Sequence, residues 1–487
     1  MEKNKNLRLI IFYFLVILSL FIWIINSDGF YYIDDRCHFN FNRHFLDSPE
    51  SSINAWSRVG RVLLFFLPAQ LGLRGVQIFG ALIFIFSIHI AYLILKSKNI
   101  KYAEWIIPIM GFQPLLFNIS YTVLAEVPAM MLITLSYYFY LKNRPYLCII
   151  TSSMIFTFRT ELFFVCGIFI LIYLFKRNWK VLPFCLAGPI LWFLLAWIFT
   201  GNIKAFFNEM TLHLNLPRTS EGIKWYHYII MIPKSFGILQ SFTFIIAIIS
   251  LIISKKIKEY SLLLIFFVLG ITVYTLASLE GLSTTCSVGQ LRYIGTLGSC
   301  FGIVSTVGFS IILDRIKNKI LMLPFVIFSL IIMFILGPFS TPFHVKHEST
   351  KISEYIKQLR DEKYPDYYIL TEMEDMANVL DEHKSKGKIF KPLTKKNLKE
   401  LDKYLVVWNR YYEGTPFGEY DASLPYLENM KELELIYSID TVINHDWDFP
   451  IEKYRQMLPD FLKDFIAYMM QEQNCWEDLS IKVFKKD

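Results

Sequence analysis

The seven cysteines form no CxxC pair and show no metal-ligand spacing, so neither a zinc site nor a dithiol redox motif is encoded. Charged residues are few, 19% of 487, and they form no basic stripe interleaved with stacking aromatics. The net charge of +7 therefore does not point to nucleic acid. Internal repeats, low-complexity tracts and the inverted repeats of transporters are all missing. The N-terminal MEKNKNLR leads into an apolar stretch, Leu7 to Ile25, without a small-residue cleavage site, so it reads as an uncleaved first helix. What is abundant is apolar surface: 54% of residues are hydrophobic and 17% aromatic, more than a soluble core of this size can use.

Apolar runs fall near residues 7–25, 76–95, 103–117, 121–141, 146–157, 161–175, 181–200, 238–254, 260–278, 294–313 and 320–337. They suggest about eleven membrane spans, several of them shorter than the ~20 residues that a bilayer core asks for. Basic clusters fall at every second turn: Lys3, Lys5 and Arg8; Lys96, Lys98 and Lys101; Lys142 and Arg144; Lys176, Arg177 and Lys180; Lys255, Lys256 and Lys258; Arg315, Lys317 and Lys319. The positive-inside rule then predicts a multi-pass inner (plasma) membrane protein with a cytoplasmic N-terminus. Residues 1–339 form the transmembrane part, with long outer loops at 26–75, 201–237 and 279–293. Within the first loop, Val62 to Leu73 is apolar but interrupted by Pro68 and Gly72, which suits a helix in the interface.

From residue 340 the composition turns charged and mixed, and an odd number of spans puts residues 340–487 outside the cytoplasm. KISEYIKQLRDE and LTKKNLKELD have helical periodicity, while DYYILTE and KYLVVWNRYY are β-rich, which predicts a small α/β domain. Residues 451–475 read as a further amphipathic helix. Cys37, Cys286 and Cys475 fall in segments expected outside the cytoplasm; a disulfide is chemically open to them, but they read as unpaired thiols.

Chemistry concentrates at the expected outer ends of the spans. Asp34 and Asp35 follow the first span in GFYYIDDRCHFNFNRHF, where adjacent carboxylates suit a general base or a metal ligand, or simply a solvated turn. Arg58 and Arg61 close the same loop in AWSRVGR. Glu126, and Arg159 with its neighbour Glu161, put charge at the ends of apolar spans, where it must be paired or face a cavity. A plain structural ion pair between Glu126 and Arg159 is the alternative. Arg292 and Tyr293 open the tenth span in LRYIGT. A guanidinium fork there suits a phosphate, and a snorkelling interface residue is the other reading. Acidic residues and arginines on one face fit an acid/base step beside a bound anion.

This arrangement resembles the glycosyltransferase-C superfamily, α-helical polytopic membrane enzymes that use polyprenyl-phosphate sugars. YYIDDRCHFNF, AWSRVGRVLLFFL and FQPLLFNISYTVLAEVPAMM, in that order, are similar to the bacterial O-antigen (serotype-converting) glucosyltransferase family. The sequence departs from that family at Gln113, where an Asn is usual, and at Ala125 and Glu126. FRTELF and RYIGT also look similar to blocks of mannosyltransferases in the same superfamily, which leaves lipid-linked mannose open. The resemblance covers roughly residues 1–300. It implies hexose transfer, from a polyprenyl-phosphate sugar to a glycan or lipid-linked glycan acceptor of the O-antigen or lipopolysaccharide kind.

On this reading Asp34 or Asp35 is the general base, with Glu126 as a further carboxylate. Arg58, Arg61, Arg159, Arg292 and Tyr293 bind substrate, and no cofactor is required. A divalent cation held by Asp34, Asp35 and Glu126 is a second version. Two other classes stay in view, a lipid-linked glycan transporter or flippase and an O-antigen polymerase or ligase. A transporter would place its ionisable residues near the midplane. The C-terminal domain reads as a lid or scaffold, or as a glycan-binding module using Trp408, Tyr411, Tyr412 and Trp447, although packing is the usual fate of such aromatics.

Overall fold

The computed structural model describes residues 2–54, 56–214, 223–279, 290–316, 344, 346–383, 386–410, 422–444 and 476–487. The chain divides into two compact units: residues 1–27 with 52–343, and residues 28–51 with 344–487. Residues 28–51, which the sequence pattern groups with the membrane part, thus belong to the second unit. The expected span at 320–337, the helix at 451–475, Cys286, Cys475, Tyr411, Tyr412 and Trp447 lie outside the described residues.

The first unit is helical. Among its described residues five helices are long and apolar enough to cross a membrane: Asn6–Asn26, Gly72–Ser97, Trp179–Thr200, Ser261–Ser278 and Leu291–Arg315. A sixth span can be made from His227–Phe236 and Ile238–Ile253, which are bent by 115° at their junction. Among the described residues the other expected runs form shorter or broken helices, and the reasons are local. Run 103–117 breaks into Ala103–Trp105, Ile106–Gly111 and Pro114–Ile119. The break falls at Gln113, which is extended at ψ 121 because the ring of Pro114 excludes helical geometry for its predecessor. Runs 146–157 and 161–175 give helices of 10 and 12 residues, Pro145–Met154 and Phe164–Phe175. Run 121–141 becomes helical only from Glu126. Val59–Gln70 is helical through Pro68 and buries Val59, Val62, Phe65 and Ala69 along one face.

The second unit contains a five-stranded sheet in the order β2-β1-β3-β5-β4, formed by β1 (Tyr368–Thr371), β2 (Phe390–Lys391), β3 (Tyr404–Asn409), β4 (Glu434–Asn444) and β5 (Trp476–Lys486). β1 pairs in parallel with both β2 and β3, while β5 runs antiparallel to β3 and β4. Period-two alternation gives the sheet two apolar faces. Ile369, Val407, Ile481 and Val483 meet helices Glu348–Lys363 and Glu374–Leu380 through Ile352, Ile356, Met376 and Ala377. Leu370, Val406, Trp408 and Phe484 meet Leu398 and Leu427 on the other face. Each such side chain, fully buried, contributes about 1.5–3 kcal/mol. Trp408, 2% exposed, is therefore a core residue rather than a sugar platform. The α/β reading of this domain holds. Cys37 is buried with a free thiol.

Candidate functional site

In the first unit the charged side chains converge where short helices begin and end. Glu126 starts helix Glu126–Leu141 after a turn closed by Thr122, whose Oγ1 donates to Ile119 O (2.7 Å) and accepts from Leu124 N (3.3 Å). Unpaired N–H groups at a helix start favour a carboxylate there. Arg159 sits in extended backbone between two 3-10 turns, Ile155–Thr157 and Thr160–Phe163. Its Nη2 pairs with Glu126 Oε1, and its Nη1 lies 3.0 Å from Glu161 Oε1. Arg292, in the 3-10 segment Leu291–Leu297, places Nε 3.5 Å from Glu126 Oε1. Tyr293 packs its ring 4.4 Å from Arg159 Cζ and 5.4 Å from Arg292 Cζ, and stacks on Tyr274 at 5.8 Å.

Arg58 reaches the same cluster from another direction. It precedes helix Val59–Gln70 at φ 60, a left-handed conformation that costs a non-glycine residue on the order of 1–2 kcal/mol. An Asx turn, Trp56 N to Asn54 Oδ1 at 2.7 Å, leads the chain into this geometry. Two glycines allow the close approaches that the cluster needs. A Cβ on Gly60 would lie 2.1 Å from Thr157 Oγ1, so its absence lets this helix pack on the strand of chain that carries Arg159. A Cβ on Gly298 would lie 2.4 Å from Leu116 Cδ1, so its absence lets the Arg292 segment close on helix Pro114–Ile119. Arg58 then donates from Nη1 to Thr160 Oγ1 (3.1 Å) and brings Nη2 only within 3.9 Å of Glu161 Oε2.

Of the residues expected at the site, the structure therefore brings together Glu126, Arg159, Arg292, Tyr293 and Arg58. The ion pair weighed as the structural alternative for Glu126 and Arg159 is formed, but as part of a larger cluster. Arg61, fully buried, donates from Nε to Ser57 O at 2.8 Å and so serves the turn that presents Arg58. Asp34 and Asp35 belong to the second unit. There they occupy the first turn of helix Ile33–Arg43, with Asp35 buried and accepting from Tyr31 N at 3.1 Å while Asp34 is half-buried. Thr160, Glu161 and Tyr274 join the cluster without a site role expected from sequence, although Glu161 was noted beside Arg159. Glu161 had a signal, because a carboxylate two residues from a membrane arginine is a natural partner; Tyr274 had none. Among the described residues no group of three or more His, Cys, Asp or Glu side chains is gathered as a metal site needs.

The chain thus combines an apolar helical bundle that buries an ionic cluster with a small C-terminal sheet domain. Solved structures with this fold include ArnT from Cupriavidus metallidurans in the apo state, with a TM-score of 0.58 and 9% identity over 82% of this chain and 92% of that one. ArnT from the same organism bound to undecaprenyl phosphate matches with a TM-score of 0.57 and 9% identity, over 90% and 96% of the two chains. At that identity the likeness is one of fold, and it does not extend to the O-antigen glucosyltransferase family. No protein-family model and no curated protein matches the chain.

Proposed function

We propose that this protein is a membrane glycosyltransferase that moves a sugar from a polyprenyl-phosphate donor to a glycan or lipid-linked glycan acceptor. The observation that carries the reading is the guanidinium of Arg58. It is held in a strained backbone position by a neutral hydroxyl and a carboxylate 3.9 Å away, beside an Arg159 already committed to two carboxylates. A loosely held donor next to a fixed ionic cluster can turn to a phosphate with little loss of existing bonds. Strain of this kind gathers at functional sites. The fold shared with ArnT, one of whose structures holds undecaprenyl phosphate, supports a lipid-phosphate donor.

On this reading the sugar leaves its lipid phosphate as the acceptor hydroxyl attacks C1. The C1 to phosphate-oxygen bond breaks, and the electron pair departs on the phosphate. Arg58, Arg159 and Arg292 stabilise the charge that develops there. The motif resemblance alone assigns the hydroxyl proton to a first-loop carboxylate, Asp34 or Asp35. The hexose is assigned as glucose, and the acceptor as a cell-surface glycan outside the cytoplasm, on the motif resemblance alone. Purified protein in proteoliposomes, given a labelled polyprenyl-phosphate hexose and acceptor glycan, should form a labelled glycan and free lipid phosphate. Translocation of intact donor without transfer would overturn the reading in favour of a flippase, and a chelator arm reports whether a divalent ion takes part.

A further inference from the structure

Residues 28–51 and the C-terminal domain form one compact unit, and the contacts between them follow a pattern. Arg36, Asn40 and Arg43 lie on one stripe of helix Ile33–Arg43, within about 60° of each other at about 100° per residue. Each of the three holds the acidic helix Glu374–Leu380 or its end. Arg36 pairs through Nη1 with buried Asp375 and donates to Ser349 Oγ at 3.2 Å. Asn40 Nδ2 donates to Glu374 O at 3.1 Å and to Glu374 Oε2 at 2.8 Å. Arg43 forks onto Asp381, Nε to Oδ1 at 2.8 Å and Nη2 to Oδ2 at 2.7 Å. Asp375 accepts a further bond from Thr350 Oγ1 at 2.5 Å, which ties helix Glu348–Lys363 to the same grip. The loop ends are fastened as well, by Gly29 N to His344 O at 2.9 Å and by Lys386 Nζ to Asp47 O.

A single hydrogen bond lets a helix roll, but three bonded positions over two turns fix its rotation about its own axis. Asp34 falls about 150° around the helix from the middle of the gripped stripe, on the opposite face. We propose that the C-terminal domain is the positioning element for the first-loop carboxylate. Through Asp375, Glu374 and Asp381 it holds the stripe Arg36, Asn40 and Arg43, and thereby sets the direction in which Asp34 points. Arg36, Arg43, Asp375 and Asp381 are positioning residues, and the inference rests on the reading of Asp34 as the base.

The test uses the exposed fork, which can be exchanged without opening the core. Full-length Arg43→Asp, Asp381→Arg and the double variant are compared with wild type by hydrogen exchange of residues 33–43 and by kcat and donor KM. Each single variant should speed exchange in the loop helix and lower kcat about 10- to 100-fold with donor KM unchanged, as expected for a misplaced reacting group. The double variant should reverse both effects, which a general loss of folding would not allow. Unchanged exchange in the single variants would overturn the grip, and faster exchange at unchanged kcat would overturn its role in positioning. Asp34→Asn is run alongside; a full rate there means that the base assignment has failed and the inference falls with it, even where the exchange pattern is as described.

Discussion

Arg159 joins carboxylates from two different elements, pairing with Glu126 at the start of helix Glu126–Leu141 and lying 3.0 Å from Glu161 in the next 3-10 turn. Both members of the first pair are nearly inaccessible, at 8% and 1% side-chain exposure. Removing one partner leaves the other with a single ion-pair contact, Arg159 with Glu161 at 3.0 Å or Glu126 with Arg292 at 3.5 Å. The cost therefore falls below the ~3–5 kcal/mol of a fully uncompensated buried charge, and removing both is milder still. Glu126→Leu and Arg159→Leu should each lower the thermal midpoint in detergent, and the double variant should recover part of the loss. Additive single effects would mean that the pair is not coupled.

Arg58 invites the opposite result. Arg58→Gly relieves the left-handed strain but loosens the unfolded chain, so the two effects offset to within about 1 kcal/mol. Loss of the donor should still slow transfer about 10²- to 10³-fold. An unaltered melting curve with collapsed turnover is the expected pair of measurements. Retained turnover would remove Arg58 from the anion site.

The adjacent carboxylates of the first loop should separate in the same assay. Asp35 is buried and accepts the N–H of Tyr31, a role that the amide oxygen of Asn can keep. Asp34 is half-buried, and on the proposed reading it is the carboxylate that takes the proton. Asp34→Asn should abolish most transfer, and Asp35→Asn should retain the larger part of it. Equal losses in folded variants would contradict this division.

How much of this could be read without coordinates depended on the range of the interaction. The pairing of Glu126 with Arg159 was legible because a charge among apolar spans needs a partner. β1 and β3 were legible because the short β-rich runs in DYYILTE and KYLVVWNRYY are a local signal. The break before Pro114 was also present in the sequence, but a hydropathy window passes over a single proline. What no local pattern carried was the membership of residues 28–51 in the second unit. Arg36 meets Asp375 across 339 positions and Arg43 meets Asp381 across 338, and neither acidic residue stands out in its own segment. The functional weight of Gly60 was likewise hidden, because its role lies in what a Cβ would strike.

Gly60→Ala tests that close approach. The added carbon would sit 2.1 Å from Thr157 Oγ1 and 2.8 Å from Phe158 Cε2, so helix Val59–Gln70 must move away. Overpacking of this kind costs about 1–3 kcal/mol. The displacement should also pull Arg58 off Thr160 and reduce turnover. Adding Thr157→Ala removes the nearest atom, and part of both losses should return. If Gly60→Ala alone keeps wild-type stability, the packing argument fails.

The last prediction concerns pH. His44 and His383 face each other with ring centroids 5.8 Å apart in the second unit, beside Asp47, Asp381, Glu374, Arg43 and Lys386. Burial lowers the pKa of His44 below its ordinary 6.5 despite the pull of Asp381 and Asp47. Burial also lowers His383, and the neighbouring His44 lowers it further. Both rings are therefore neutral in the folded unit at pH values where the unfolded chain already binds protons. Stability must rise with pH through this window, and it is lost as pH falls below about 6.5. Asp381, held below its ordinary 3.8 by its hydrogen bond to Arg43, contributes only lower down, where its stabilisation is lost as pH falls beneath that value. Thermal unfolding or hydrogen exchange of residues 33–43, followed from pH 8 to pH 5, should show a flat region above about 7 and a decline below 6.5. His383→Gln should flatten the decline, because it removes one titrating ring and the repulsion that it exerts on the other.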